Sequence, residues 1–337
     1  MVLVSSFFLA LFLALVLTPL GTRAAWVIGY LDQPDARKLH TSATALLGGA
    51  VVFLSALIGW LGAARVGLPE SGGREALVLA GAVLALAIGL WDDRFGMNPL
   101  VKLAGQGTAA AILLSTGWIP DLGLPVALNF AITLIALVAL MNAINFLDNM
   151  NGMVAGLSAI MMVAFAVTSI ARGAVAVAAA QLAIAGGCVG FLRYNFPRAR
   201  IFLGDAGSLF LGYSLGASAL LAFEGAPPGW GRVGAVLILA YPAFDMSFVV
   251  VNRLKEGRKI YEGGKDHSNH RLASVMQCQK RTVLLLWLSG AALCASGLAV
   301  LKLNQPLPAL GLSALWISLF LWAGLRLSSV PVQRARR

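Results

Sequence analysis

Asp92-Asp93, Asp148, Asp205, and Asp266-His267 with His270-Arg271 form four short clusters, each at the edge of a long hydrophobic run. Carboxylates at such boundaries are costly to desolvate unless a cation, a proton or a hydrogen-bond network compensates. Asp92 and Asp93 repel each other, and Lys102 opens the run that follows them. A divalent ion, or a proton shared with a nucleophile, would balance such a pair. The plainer alternative is a solvated loop with two idle acids.

The densest polar stretch is Asn142-Ala-Ile-Asn145-Phe-Leu-Asp148-Asn149-Met-Asn151-Gly152. Asn142, Asn145 and Asp148 recur every third residue, which on a helix lines them along one narrow face. Amides and a carboxylate at the end of an apolar run suit a wet cavity. Helix capping and helix–helix hydrogen bonding is the bland reading. Further on, Phe202-Leu203-Gly204-Asp205-Ala206-Gly207-Ser208 follows Arg193, Arg198 and Arg200 and opens another run. A helix beginning there offers N–H groups to an anion. Asp205 either caps that helix or ligates a hard ion; Mg²⁺ takes one or two carboxylates plus phosphate oxygens. In Gly263-Gly264-Lys265-Asp266-His267-Ser268-Asn269-His270-Arg271, two imidazoles and a guanidinium suit phosphate, or anionic headgroups. Zinc fits less well, because no cysteine lies near. Asp32 to His40, with Arg37 and Lys38, reads alone as a juxtamembrane basic turn.

The runs between these clusters dictate the architecture. The chain has 337 residues, 59% hydrophobic and 12% charged, against about 25% charged in soluble domains. A span needs about 20 apolar residues. Eleven centres, near residues 11, 54, 83, 110, 134, 162, 183, 214, 240, 292 and 317, meet that need. The predicted fold is all-α, a polytopic integral membrane protein of about ten or eleven helices in one domain, 1–337. Net charge is +11, but its distribution argues for a bilayer and against nucleic acid. Starting outside, alternate segments leave only Arg65, Arg74, Arg172, Arg232 and Lys302 of the 25 Lys and Arg on the outer face. That asymmetry follows the positive-inside rule and predicts an outer N-terminus and a cytoplasmic C-terminus. The first run lacks a basic leader, which argues against a cleaved signal peptide. All the polar clusters then share the cytoplasmic face. Cys188, Cys278 and Cys294 lack metal-ligand spacing and read as structural thiols.

Together these segments resemble the polyprenyl-phosphate N-acetylhexosamine-1-phosphate transferases, glycosyltransferase family 4. The matches are D-x-P-x-x-R-K-x-H at Asp32 to His40, L-G-G at Leu47 to Gly49, and D-D at Asp92-Asp93 with Lys102. They continue with N-A-x-N-x-x-D at Asn142 to Asp148, F-L-G-D-x-G-S at Phe202 to Ser208, and H-x-x-H-R-L at His267 to Leu272. The last form is similar to the N-acetylglucosamine-1-phosphate branch. The resemblance implies transfer of a sugar phosphate from a UDP-N-acetylhexosamine to undecaprenyl phosphate with release of UMP, in the bacterial cytoplasmic membrane. It implies Mg²⁺, with Mn²⁺ as an alternative, and leaves monomer and homodimer open. By the same resemblance Asp205 is the principal metal ligand, with Asp148 beside it, and Asp92 accepts a proton from the lipid phosphate. Asp93 and Asp148 complete the acidic site, and His267 and His270 act with them. Phe202 stacks on uracil; Lys102 and Arg271 grip phosphate; Asn142, Asn145, Asn151, Arg37, Lys38 and His40 contact substrate. There are two departures from the pattern. Asn149 and Asn151 stand where many members have Gly and Asp, and Ala45 stands where Pro is usual. An ion-coupled transporter is the rival from another class, although no internal repeat supports it.

Overall fold

A computed structural model describes residues 1–33, 43–64, 73–224, 226, 229–259, 264 and 266–331. Arg37, Lys38 and His40 lie outside the described residues. Among the described residues, thirteen helices and one two-stranded pairing make up the regular structure. The chain divides into two compact units, Met1–Asp32 with Thr44–Pro227, and Gln33–Ala43 with Pro228–Arg337.

The first unit holds α1 (Val2–Ile28), α2 (Gly48–Ala64), α3 (Arg74–Phe95), α4 (Pro99–Leu114), α5 (Val126–Leu147), α6 (Met153–Ala171), α7 (Val175–Asn195) and α8 (Gly204–Glu224). β1 (Leu31–Asp32) pairs antiparallel with β2 (Thr44–Ala45). The second unit holds α9 (Arg232–Ile238), α10 (Ala240–Lys255), α11 (Ser268–Met276), α12 (Gln279–Leu303) and α13 (Pro306–Ser328). Among the described residues eight helices are long and apolar enough to cross a membrane, and α9 with α10, bent by 62°, make a ninth if counted as one span. α2 and α4 are the remaining two expected segments and are shorter. α4 is cut at its start by Asn98, whose side chain accepts the Leu100 N–H, and by Pro99 at the first helical position. The predicted all-α, multi-pass membrane fold therefore holds.

α8 is the most enclosed of the candidate spans and packs on α2, α3, α5 and α6. Its early residues Gly204, Ala206, Gly207 and Ser208 are small, which lets neighbouring backbones approach closely. The fit leaves no room for side chains at two facing positions. A Cβ on Gly89 of α3 would sit 2.3 Å from Ala206, and one on Gly49 of α2 would sit 2.1 Å from Gly207. The segment before α8 is pinned as well. Phe202 N–H donates to the Ala45 carbonyl at 2.8 Å, and the Phe202 carbonyl accepts from Gly48 N–H at 3.0 Å. The first turn of α8 is thereby held against α2 and α3.

Candidate active site

Four helix ends meet in the first unit: α3 and α5 finish there, and α4 and α8 begin. Asp93, near the end of α3, accepts the N–H groups of Asp205 at 2.9 Å and Ala206 at 3.1 Å. These are orphan donors of the first turn of α8, where a carboxylate is favoured both by hydrogen bonding and by the helix dipole. Gly204 makes the approach possible, since its φ is +73° and a Cβ would stand 2.6 Å from Asp93 Oδ2.

Lys102 bridges the neighbouring acids. Its Nζ lies 2.8 Å from Asp92 Oδ2 and also hydrogen-bonds Asp205 Oδ2. Asn145 Nδ2 donates to Asp205 Oδ1 at 2.8 Å and to Ser208 Oγ at 2.9 Å. One turn along α4 from Lys102, Gln106 and Asn142 exchange amide hydrogen bonds of 2.6 and 3.4 Å. Lys102 and Gln106 on α4 thus face Asn145 and Asn142 on α5 as two rungs of an antiparallel ladder. Asn142 is engaged in helix–helix bonding, the bland reading of its motif, whereas Asn145 reaches the carboxylates.

Asp148 follows the last turn of α5 and accepts the N–H of Gly204. Burial, and then the Asp205 carboxylate, push its carboxyl up to about 7, against the lowering effect of that N–H. Asp92 and Asp205 meet at the same Lys102 ammonium. Two carboxyls brought together need a proton or a cation between them. Among the described residues Asp92 and Asp205 share the Lys102 ammonium, while Asp93 and Asp148 accept N–H groups at the start of α8. Among the described residues no three His, Cys, Asp or Glu side chains form a ready cage for a metal ion. A hard ion that completes its shell with phosphate and water needs only one or two carboxylates. The oxygen donors of Asp205, Asp92 and Asp148 suit Mg²⁺ by that measure.

The remaining first-unit residues frame this cluster. Asn151 Nδ2 donates to the Pro197 carbonyl at 3.2 Å, and Asn195 receives Gly152 N–H at 2.6 Å while donating to Ile201 O at 2.9 Å. These bonds tie the start of α6 to the segment leading into α8. Phe202, within that segment, is half-buried.

The second unit carries the histidines. His267 is the N-cap of α11, and its Nδ1 is 2.8 Å from Asp245 Oδ2 on α10. His270, one turn on, is half-buried, with its ring 6.3 Å from that of His267. Arg271 is buried, and its Nη1 donates to the carbonyls of Leu327, Ser328 and Val330 at the end of α13. A cation at that helix end satisfies orphan carbonyls. Asp266 is fully buried between Arg253, which it binds at 2.8 Å through both oxygens, and Arg258 at 2.9 Å. Burial opposes its ionisation, but the Arg253 hydrogen bonds and charge, then His267, outweigh it and hold the carboxyl down to about 2.

Because that value lies below the ordinary 3.8, Asp266 stabilises the fold above pH ~4 and loses this contribution as pH falls toward 2. The expected change is about 2 kcal/mol. Amide exchange of α10 and α11 followed from pH 5 to pH 2 measures it. In Asp266→Asn these amides should be less protected throughout and show no step in that window.

Gln106, Asp245 and Arg253 were not singled out by sequence. Asp245 did leave a signal, as a lone acid within the apolar run Tyr241 to Val251.

Fold and site together define a polytopic helical membrane protein with a carboxylate–lysine–amide cluster at converging helix ends. Residues 76–223, from α3 to α8, match the family described as Glycosyl transferase family 4 and include every member of that cluster. The chain is 31% identical over 327 residues to a probable undecaprenyl-phosphate N-acetylglucosaminyl 1-phosphate transferase of Bacillus subtilis, covering 94% of this chain and 87% of the relative. It is 33% identical over 298 residues to a decaprenyl-phosphate N-acetylglucosaminephosphotransferase of Mycobacterium tuberculosis (77% and 73% covered). An undecaprenyl-phosphate alpha-N-acetylglucosaminyl 1-phosphate transferase of Yersinia pestis is 27% identical over 319 residues (90% and 85%). The chain belongs to glycosyl transferase family 4, as its motifs implied.

Proposed function

We propose that the protein transfers N-acetylglucosamine-1-phosphate from UDP-N-acetylglucosamine to a polyprenyl phosphate, undecaprenyl phosphate in a bacterial setting. The lipid-linked diphosphate sugar would form at the cytoplasmic leaflet of the inner membrane and begin an envelope polysaccharide. The observation that carries this reading is the cluster in which Lys102 joins Asp92 and Asp205 while Asn145 orients the latter. The activities for which these relatives are named support the same substrate class.

The chemistry follows from charge. An oxygen of the lipid phosphate attacks the phosphorus bonded to the sugar, and the bond from that phosphorus to UMP breaks with its electron pair. Both reactants are anions, so Lys102 offsets their repulsion at the point of encounter. Asp92, half-buried beside Lys102, is placed to take a proton from the lipid phosphate. Asn145 holds the Asp205 carboxylate in one orientation. Asp93 keeps the α8 N-terminus in place rather than meeting substrate. Asp205, with Asp148, would hold Mg²⁺, which as a Lewis acid draws electron density from the departing UMP oxygen. An ion-coupled transporter would set its acids near span midpoints, whereas Asp92, Asp148 and Asp205 cluster at helix ends.

Purified protein incubated with radiolabelled UDP-N-acetylglucosamine, undecaprenyl phosphate and Mg²⁺ should yield labelled lipid and an equal amount of UMP. Absence of labelled lipid under conditions where the protein stays folded would refute the proposal. A panel of UDP-N-acetylhexosamines in that assay reads the sugar preference.

A further inference from the structure

The first unit holds a second concavity, toward the far end of the helices that carry the carboxylates. A cavity of about 160 Å³ lies among α2, α3, α7 and α8. On α3 it is lined by Val78 and Ala82, whereas Asp92 and Asp93 close the same helix further on. That separation is about 15 Å or more along the axis. The cavity wall is almost wholly apolar, with Phe53, Trp60, Trp118 and Phe210 among its side chains. One residue breaks the pattern. Gln181 of α7 lines the cavity at 3% exposure, and neither its Nε2 nor its Oε1 has a hydrogen-bond partner among the described residues. Two other polar groups of the wall are taken. Trp60 Nε1 donates to the Ala176 carbonyl at 3.2 Å, and the Ser218 hydroxyl to Met162 Sδ at 3.7 Å.

A buried amide N–H without an acceptor is rare, and in apolar surroundings it is costly. Water is a poor remedy, because an enclosed molecule needs about two to four polar partners and this wall offers few. The space is also more than packing slack, since an apolar void of about 150 Å³ accepts a benzene molecule. Leu57, Leu79 and Val177 on the wall are half-buried, so the cavity opens between apolar side chains of a membrane protein. What enters by that route is hydrocarbon. We propose that this cavity is a lipid site, taking about six carbons of a glycerolipid acyl chain, with Gln181 Nε2 donating to the chain's ester carbonyl. The ester is neutral and accepts, which is what an unmet donor requires. Glu75 is the one charged residue of the lining, and its carboxylate disfavours an anionic occupant such as a polyprenyl phosphate. The site stands apart from the carboxylate cluster and does not depend on the transferase reading.

Native mass spectrometry of the delipidated full chain, titrated in detergent with dioleoyl-phosphatidylethanolamine, tests this. The diether analogue of that lipid keeps the chains and the headgroup but has no ester carbonyl. Wild-type protein is expected to hold one diester molecule about tenfold more tightly than the diether, the scale of one buried hydrogen bond. Gln181→Leu should bind the two lipids alike, because it has no donor with which to tell them apart. It also removes an orphan amide, so without lipid it should melt no lower than the wild type. Gln181→Met, a longer apolar replacement, repeats the comparison should leucine pack poorly. Lipids that merely coat the helices show no preference that depends on Gln181. Equal affinity of the wild type for diester and diether, or an ester preference that survives in both variants, would overturn the proposal. Displacement of the tightly held diester by undecaprenyl phosphate would overturn it too, by assigning the cavity to a polyprenyl chain.

Discussion

Lys102→Met is expected to lower sugar-phosphate transfer by roughly 10³-fold, the scale on which a preorganised charge at a reacting oxyanion acts. The same change should destabilise the first unit. Lys102 contacts Asp92 at 2.8 Å, also binds Asp205, and lies 3.5 Å from Asn145 Oδ1. Without it, Asp92 and Asp205 lose the ammonium that they share. Removing one partner of a buried ion pair costs about 3 kcal/mol, and partial exposure of this cluster reduces that to about 2 kcal/mol. Kinetics with saturating UDP-N-acetylglucosamine and a melting curve in the same detergent test both halves. Lys102→Arg keeps the charge but replaces a compact ammonium by a planar fork, so it should restore melting more fully than turnover. A Lys102→Met protein with near-normal turnover would remove the central cation from the mechanism.

Asp205→Asn should lose a similar factor of about 10³ in transfer, yet move stability in the opposite direction. The substitution deletes one negative charge from a crowded group. It can still receive Lys102 through its remaining oxygen. In the absence of substrates its melting temperature is therefore expected to equal or exceed that of the wild type. The divalent ion supplies a second readout. A ligand that binds only the folded state at a hundred times its Kd adds about 2.7 kcal/mol, so Mg²⁺ should raise the wild-type melting temperature and leave that of Asp205→Asn unmoved. An Asn variant that keeps the Mg²⁺-dependent rise would place the ion elsewhere.

These two substitutions separate what each residue does from where the fold puts it, and the sequence speaks unevenly to the two questions. The spacing of Asn142 and Asn145 announced a polar helix face. It did not show that Asn145 would reach Asp205 while Asn142 would be taken up by Gln106, because that depends on which residues α4 brings opposite. Asp205 at the start of a helix was legible as a cap or a ligand. That Asp93, 112 residues away, would supply the anion for the helix N-terminus was not. Arg271 carried the signature of a phosphate grip, and in the fold its guanidinium meets the last carbonyls of α13.

The amino-acid order alone determined the run of membrane-length helices and the placing of acids, amides and imidazoles at their ends. Both follow from the energy of putting apolar and charged groups in lipid, a local property of each segment. Only the tertiary structure decided that Lys102 would bridge two particular carboxylates, and that a buried Asp245 would face His267. Those pairings join residues far apart in the chain, and close approach of the small residues along α3 and α8 brings the first set together.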